Sequence, residues 1–155
     1  MNLTDLFISS LLNNNIAFTF ILGMCPLIAI STNVKNAKGM GIAVVIVVTL
    51  TGIINYPIYL LLKATNTTNL ALLVFIITIA ATVQILEIFI EKYLPKVYSS
   101  FGIFLPLITV NCVVLAVSLF FVNRNYNFLQ TATFSFASSL GWMMAIIIVA
   151  GVREK

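Results

Sequence analysis

The sequence predicts an all-α integral membrane protein, and three observations carry that prediction. Hydrophobic residues make up 61% of the 155 residues and charged residues only 8%, whereas soluble domains carry about 25% charged residues. The mean hydropathy is +1.14. The apolar residues fall into long, continuous stretches, whereas the strands of a membrane β-barrel alternate in polarity over about ten residues. These observations exclude a water-soluble fold and a barrel.

Five apolar stretches are the predicted transmembrane helices. A helix needs about 20 apolar residues to cross a bilayer, and the stretches cover residues 16–31, 39–62, 70–90, 101–122 and 129–152. The first stretch is short. Residues 3–12 before it are also apolar, and three asparagines at positions 13–15 separate the two segments. We expect residues 3–31 to form either one broken span or an interfacial segment followed by a half-span.

The basic residues predict the orientation of the chain. The side reached after the first span carries Lys35, Lys38, Lys92, Lys96, Arg153 and Lys155, and the opposite side carries Lys63 and Arg124. Cytoplasmic loops are enriched in Lys and Arg, so the first of these sides is predicted to be cytoplasmic. The N-terminus is then outside and residues 153–155 are inside. No basic segment precedes the first span, so no secretory signal is predicted.

A short pattern occurs in both the first and the fourth stretch. Residues 25–31 (CPLIAIS) match residues 112–118 (CVVLAVS) at the Cys, Ala and Ser positions. Three crossings separate them, so the two segments run in opposite directions, as in inverted-topology repeats whose functional site lies near the membrane midplane. We therefore expect one membrane domain over residues 1–155, with a first repeat at 1–95 and an incomplete second repeat at 96–155.

Helix-breaking residues lie near both cysteines. Gly23 and Pro26 flank Cys25, while Gly102 and Pro106 precede Cys112. Proline removes a backbone donor and clashes with the preceding turn of a helix. Broken helices offer free N–H groups and positive dipole ends, which would stabilise a negatively charged group. The pattern predicts two broken, Cys-bearing helices.

The chemistry of the two cysteines is left open by the residues alone. A 2Fe–2S cluster takes four thiolates, and the chain has only Cys25 and Cys112 and no histidine. A cluster would therefore need ligands from a second chain. The alternatives are two inert cysteines packed as small hydrophobes, a disulfide, or a zinc site, which also needs four ligands.

Other polar residues fall within the predicted spans. Gln84, Glu87 and Glu91 are spaced to share one helix face, and acids at membrane depth are functional candidates. They predict either a cation entry path or an interfacial acid paired with Lys92 or Lys96. Asn111, beside Cys112, would either hydrogen-bond a cluster sulfur or bridge two helices.

Four segments resemble a known family. Residues 22–26 (LGMCP), 83–87 (VQILE), 102–112 (GIFLPLITVNC) and 152–155 (VREK) are similar to the NqrD/NqrE/RnfA/RnfE membrane subunits, and most similar to the NqrE branch. The resemblance covers nearly the whole chain.

The resemblance implies a function. It implies an inner-membrane subunit of a bacterial sodium-translocating NADH:quinone oxidoreductase, which transfers electrons from NADH to a quinone such as ubiquinone and is not catalytic alone. Cys25 and Cys112 would supply two ligands of an intramembrane 2Fe–2S cluster, and a homologous NqrD-like partner would supply the other two. Glu87, with Gln84 and Glu91, would line a sodium path, and Asn111 and Gly23 would surround the cluster.

The sequence also departs from the family pattern. Family members continue past residue 155 into a sixth helix. Pro26 directly after Cys25 is more similar to RnfA, which favours the alternative of a ferredoxin:NAD oxidoreductase subunit. A small secondary carrier and a membrane scaffold without a redox role are the further alternatives.

Overall fold

The computed structural model describes residues 2–13, 15–102 and 105–155, and every regular element within these ranges is a helix. At positions 68, 97, 100, 101 and 105 only the backbone is described. The helices are α1 (Leu3–Leu11), α2 (Ile16–Thr19), α3 (Met24–Ile30), α4 (Val34–Ala64), α5 (Ala71–Tyr93), α6 (Pro95–Phe101), α7 (Leu105–Thr109), α8 (Cys112–Asn123) and α9 (Phe128–Arg153), with a 3₁₀ turn at Thr68–Leu70. The all-α prediction is confirmed.

Four segments are long and apolar enough to cross a membrane within the described chain. They are Val34–Ala64, Ala71–Tyr93, Phe128–Arg153 and Pro106–Asn123, the last taken across a break before Cys112. Their positions agree with predicted spans two to five to within a few residues. The first predicted span is divided between the short helices α2 and α3, so a fifth crossing stays a prediction.

The centre of the fold is the contact between α4 and α9, where small residues allow close approach. A Cβ atom added to Gly41 would lie 2.6 Å from Met143 Cγ, and one added to Gly52 would overlap Ser135 Oγ. Small residues at helix interfaces let backbones approach each other in membranes, where packing drives association. The two longest helices, α4 and α9, therefore form the centre of the bundle, and the shorter helices pack against them.

Two helix ends are closed by asparagine. Asn66 after α4 and Asn125 after α8 have φ values of 56° and 51°, a left-handed conformation that Asn tolerates. In each case the next N–H returns to the last turn of the helix, from Thr67 to Leu62 O and from Tyr126 to Phe121 O, both at 3.2 Å. This is the Schellman pattern of helix termination, and it produces the sharp turns before α5 and α9.

The N-terminal helix α1 packs against α9 with Leu6 and Ser10 buried. Asn15 joins the two, because its Nδ2 donates to Leu11 O at 3.3 Å and to Gly141 O at 3.2 Å. Its Oδ1 accepts from Ala17 N–H at 3.1 Å and so caps α2. The predicted interruption at the asparagines is therefore a helix junction; Asn14 lies outside the described residues.

Candidate functional site: two cysteines at paired helix breaks

Each cysteine lies in the first turn of a helix that follows a break. Cys25 is the second residue of α3 and Cys112 is the first residue of α8. Pro26 and Pro106 also lie in first turns, of α3 and α7, where the missing N–H has no intrahelical partner to lose. The prolines therefore start new helices. Of the predicted fourth span, Ile103 and Phe104 lie outside the described part of the chain.

The two breaks meet each other. The backbone N–H of Gly23 donates a hydrogen bond to Cys112 Sγ at 3.0 Å, across 89 residues of sequence. Gly23 is the N-cap of α3 and has φ 85°, a conformation in which glycine has no Cβ penalty. Cys25 follows Gly23 by two residues, so this hydrogen bond joins the two Cys-bearing segments.

The space around Gly23 is closed by two side chains. A Cβ atom at this position would overlap Val113 Cγ2 and would lie 2.5 Å from Trp142 Nε1. Ile21, two residues earlier, has φ 54°, which is strained for a β-branched residue. Strained backbone persists only where the surrounding structure holds it, and it concentrates at functional sites.

Both cysteines are accessible from outside the subunit. Cys25 is exposed, Cys112 is half-buried, and both are free thiols. A disulfide between them is therefore not part of this structure. If both cysteines were inert packing residues, both side chains would be buried, but Cys25 is exposed. Across the described ranges, no group of three or more His, Cys, Asp or Glu side chains could hold a metal alone.

Two buried nitrogen donors near the cysteines have no acceptor among the described residues. Asn111 caps α8, because its Oδ1 accepts from Val113 N–H at 3.1 Å, and this leaves its buried Nδ2 unpartnered. The indole Nε1 of the fully buried Trp142 is also unpartnered. Asn111 thus caps a helix instead of bridging two. Buried donors of this kind are paired in most proteins, so these two are exceptions among the described residues.

Trp142 was not predicted as a site residue from the sequence. It is the only tryptophan of the chain and lies near the middle of α9. Tryptophan in membrane proteins is enriched at the two interfaces. The position of Trp142 in the middle of a predicted span was therefore unusual, and it was the sequence signal that could have marked this residue as part of a site. The contact between positions 23 and 142 could not be read from a single sequence.

The serines of the repeated pattern are both tied to a long helix. Ser31 Oγ accepts from Arg153 Nη1 at 3.1 Å, and Ser118 Oγ accepts from Asn55 Nδ2 at 2.9 Å. Arg153 also donates to Ile28 O at 2.6 Å, at the carboxyl end of α3. Each Cys-bearing helix is therefore anchored through the serine six residues after its cysteine.

The acidic face of α5 is separate from the cysteines. Glu87 is half-buried, while Gln84 and Glu91 are exposed. In the described part of the chain, Glu87 forms no ion pair with Lys92 or Lys96 and no hydrogen bond to the cysteine segments. The structure therefore does not show the ion pair with Lys92 or Lys96 that the sequence analysis considered.

The chain matches the family model described as "Rnf-Nqr subunit, membrane protein" over residues 3–155. It is 44% identical to the E subunit of the Na(+)-translocating NADH-quinone reductase of Maridesulfovibrio salexigens, covering 99% of this chain and 82% of that protein. The proteins of the same name from Dichelobacter nodosus and Methylococcus capsulatus are each 46% identical, covering 97% of this chain and 80% of theirs. The chain belongs to the Rnf-Nqr family of multi-pass membrane subunits.

Proposed function

We propose that this chain is a membrane subunit of a sodium-translocating NADH:quinone reductase and that Cys25 and Cys112 hold half of a 2Fe–2S cluster. The observation that carries the proposal is the 3.0 Å hydrogen bond from Gly23 N–H to Cys112 Sγ, which joins the two cysteine-bearing breaks. The names of the relatives support the complex, since all three are E subunits of this reductase.

The residues present fit an anionic cluster. Thiolates are the usual ligands of such a cluster, and both thiols are free and at least partly exposed. The positive end of the α8 dipole lies beside Cys112, which is the first residue of that helix. Asn111 Nδ2 adds a buried donor without an acceptor. The fit needs two further thiolates, which a homologous NqrD-like subunit would supply through the face that exposes Cys25.

The bound cluster would supply one-electron transfer within the membrane. The chain's own part is to hold the two thiolates and to surround them with neutral donors. Gly23 N–H and Asn111 Nδ2 offset part of the negative charge, and Val113 and Trp142 close the site on the inner side. Both of these wall residues are fully buried, so the site is closed on that side, while Cys25 lies exposed on the other.

Cysteine substitutions test this proposal in the purified complex. Cys25→Ala and Cys112→Ala should each abolish the electron paramagnetic resonance signal of an intramembrane 2Fe–2S cluster and lower the iron content by two per complex, the iron of one such cluster. The matched control is Met24→Ala, which truncates an exposed sulfur-containing side chain on the same short helix and should leave the signal in place. An undiminished signal in either cysteine variant would contradict the ligand assignment.

A further inference from the structure

A groove between α4 and α5 opens on the outside of the helix bundle. Its cavity has a volume of about 290 Å³. Its inner wall is formed by buried apolar side chains, and its edges by exposed ones. The inner wall includes Met40, Val47 and Val83, and the edges include Ile42, Ile46 and Phe89. In a membrane-spanning bundle, a groove with exposed apolar edges is open to the bilayer.

The dimensions of the groove suit a hydrocarbon chain. Its first and last lining residues on α4 are Gly39 and Val47, which lie about 12 Å apart along the helix axis. The apolar part of one leaflet is about 15 Å thick, half of the bilayer core. A single helical turn 10 Å in diameter occupies about 420 Å³, more than the cavity provides. A flexible acyl chain can therefore enter the groove, whereas a helix from another subunit cannot.

Two lysines lie at one end of the groove on α4. Lys35 and Lys38 each precede a lining residue by four positions, since Gly39 and Ile42 line the cavity. Residues four positions apart lie on the same face of a helix. The two lysines are therefore aligned with the groove, at the end where α4 begins.

Two further lysines reach the same end from α5 and α6. The short turn at 65–70 makes α4 and α5 antiparallel, so the end of α5 lies beside the start of α4. Lys92 and Lys96 lie on either side of the lining residue Leu94. All four lysines are exposed, and none forms an ion pair within the described ranges. They outnumber the carboxylates of Glu91 and Glu154 at this level, and Glu154 already accepts the N–H at the start of α4.

We propose that this groove binds one anionic phospholipid, with an acyl chain between α4 and α5 and the phosphate among the four lysines. Basic pockets between membrane helices bind the headgroups of anionic lipids. Lysine binds phosphate as a point charge, and its long stem lets the ammonium group reach the interface while the stem covers apolar surface. The proposed site lies apart from the cysteines and does not depend on the proposed cluster.

The test is photolabelling of the intact complex in phosphatidylcholine vesicles. A trace of phosphatidylglycerol with a photoreactive group in its acyl chain is added, and the labelled residues are located by peptide mass spectrometry. We expect label at residues 39–47 and 83–94, at least about five times more than from the matching phosphatidylcholine probe, because one basic residue near a membrane surface changes the affinity for anionic lipid about fivefold. The reference surface is that of Leu72 and Ile76, which are exposed at the other end of α5 and should be labelled equally by both probes.

Two variants, each with a matched control, locate the site. Ala43 is a half-buried lining residue, so Ala43→Phe should fill the groove and abolish the preferential label, while Ala81→Phe on the exposed face of α5 should keep it. Lys38→Gln should lower the preference for phosphatidylglycerol about fivefold. Lys63→Gln, in the last turn at the other end of α4, should leave that preference unchanged.

Three outcomes would overturn the proposal, and each can be read from the wild-type complex even if a variant does not fold. Equal labelling of the groove by the two probes would exclude recognition of the headgroup. Label spread evenly along the exposed face of α5 would show ordinary boundary lipid. A groove that neither probe labels would show that side chains of a neighbouring subunit fill it in the complex.

Discussion

Residues 23, 111 and 142, from three parts of the chain, meet at the helix break before Cys112. Asn111 caps its helix, Gly23 donates to its sulfur from the other break, and Trp142 closes the site from α9. All three are neutral. A fixed dipole stabilises an anion without adding a second buried charge, which would itself need desolvation at a cost of several kcal/mol. The chemistry of the site is therefore built from backbone and neutral donors.

Gly23→Ala should disrupt the packing of the two helix breaks around the cysteines. The new Cβ overlaps Val113 and Trp142, and a non-glycine residue at φ 85° costs about 1–2 kcal/mol in backbone strain alone. We expect a lower thermal unfolding temperature and loss of most of the cluster iron.

Gly151→Ala is the matched control for Gly23→Ala. Gly151 lies near the end of α9, and no atom lies within 4 Å of the added methyl group. The variant should keep both stability and iron. A loss of iron equal to that of Gly23→Ala would refute the steric explanation.

Glu87→Gln should weaken the response of the complex to sodium. The half-buried carboxylate has no ion-pair partner within the described ranges, so its charge is available to a cation. Interactions with charged groups are worth about 1.5–3 kcal/mol, and we expect the sodium concentration for half-maximal quinone reduction to rise about tenfold or more. The cluster signal should be unaffected. Glu91→Gln on the exposed part of the same face is the control, and an equal effect there would argue against a specific contact at Glu87.

Residue types alone predicted the helix breaks near the two cysteines. The structure has a break before each of Cys25 and Cys112, because helix breaks have local sequence signals, while the role of these cysteines as ligands stays a prediction. Trp142 was missed because its importance comes from a contact with a residue far away in the sequence, which no local pattern contains. Asn111 was expected either to hydrogen-bond a cluster sulfur or to bridge two helices. Its role as a helix cap was not predicted, although Asn is a preferred N-cap residue.

At the scale of helices, the last residues of α9 hold the first Cys-bearing helix. Arg153 donates to Ile28 O and Ser31 Oγ, and Glu154 accepts from the N–H of Val34 at the start of α4. A cation at a helix C-terminus and an anion at a helix N-terminus are both stabilised by the helix dipoles. The pair therefore fixes the junction between α3 and α4.

Arg153→Ala should loosen α3 and its cysteine. We expect faster hydrogen exchange across α3 and a partial loss of cluster iron. Arg153→Lys should restore part of both, because lysine keeps the charge but cannot reproduce two directed bonds from one planar group. Lys155→Ala removes a nearby positive charge and should change neither measurement. Unchanged exchange in Arg153→Ala would show that α3 is held by other contacts.

Helix predictions succeeded where apolar runs were unbroken. The stretches at 39–62, 70–90 and 129–152 became α4, α5 and α9, each somewhat longer than predicted. The stretch at 101–122 became several pieces, because Pro95 starts α6, Pro106 lies in the first turn of α7 and Asn111 caps α8. A hydropathy profile does not detect such breaks, because the residues on both sides of a break are apolar.

At the scale of the molecule, two sets of contacts show which segments lie at each end of the helix bundle. Arg153 and Glu154 join the end of α9 to the α3–α4 junction. At the other end of α4, Tyr59 OH donates to Asn125 Oδ1 at 3.0 Å, in the turn between α8 and α9. Lys35, Lys38, Arg153 and Lys155 therefore share one end, as their grouping from the sequence requires. Which end is cytoplasmic stays a prediction from the charge asymmetry.

Labelling with a membrane-impermeant maleimide tests the orientation. In a background with both native cysteines changed to serine, Thr67→Cys in the exposed α4–α5 turn should react in intact cells. Lys155→Cys at the exposed C-terminus should react only after the membrane is permeabilised. The reverse pattern would invert the predicted topology.

The close glycine contacts between α4 and α9 have a consequence for biogenesis. Those two helices pack together without help from either cysteine, and the short helices α3 and α8 attach to them through Ser31 and Ser118. The polypeptide can thus reach its final shape in the membrane before any iron arrives. For the proposed cluster, metal insertion would then be a late step, made at the surface where this subunit meets its proposed partner.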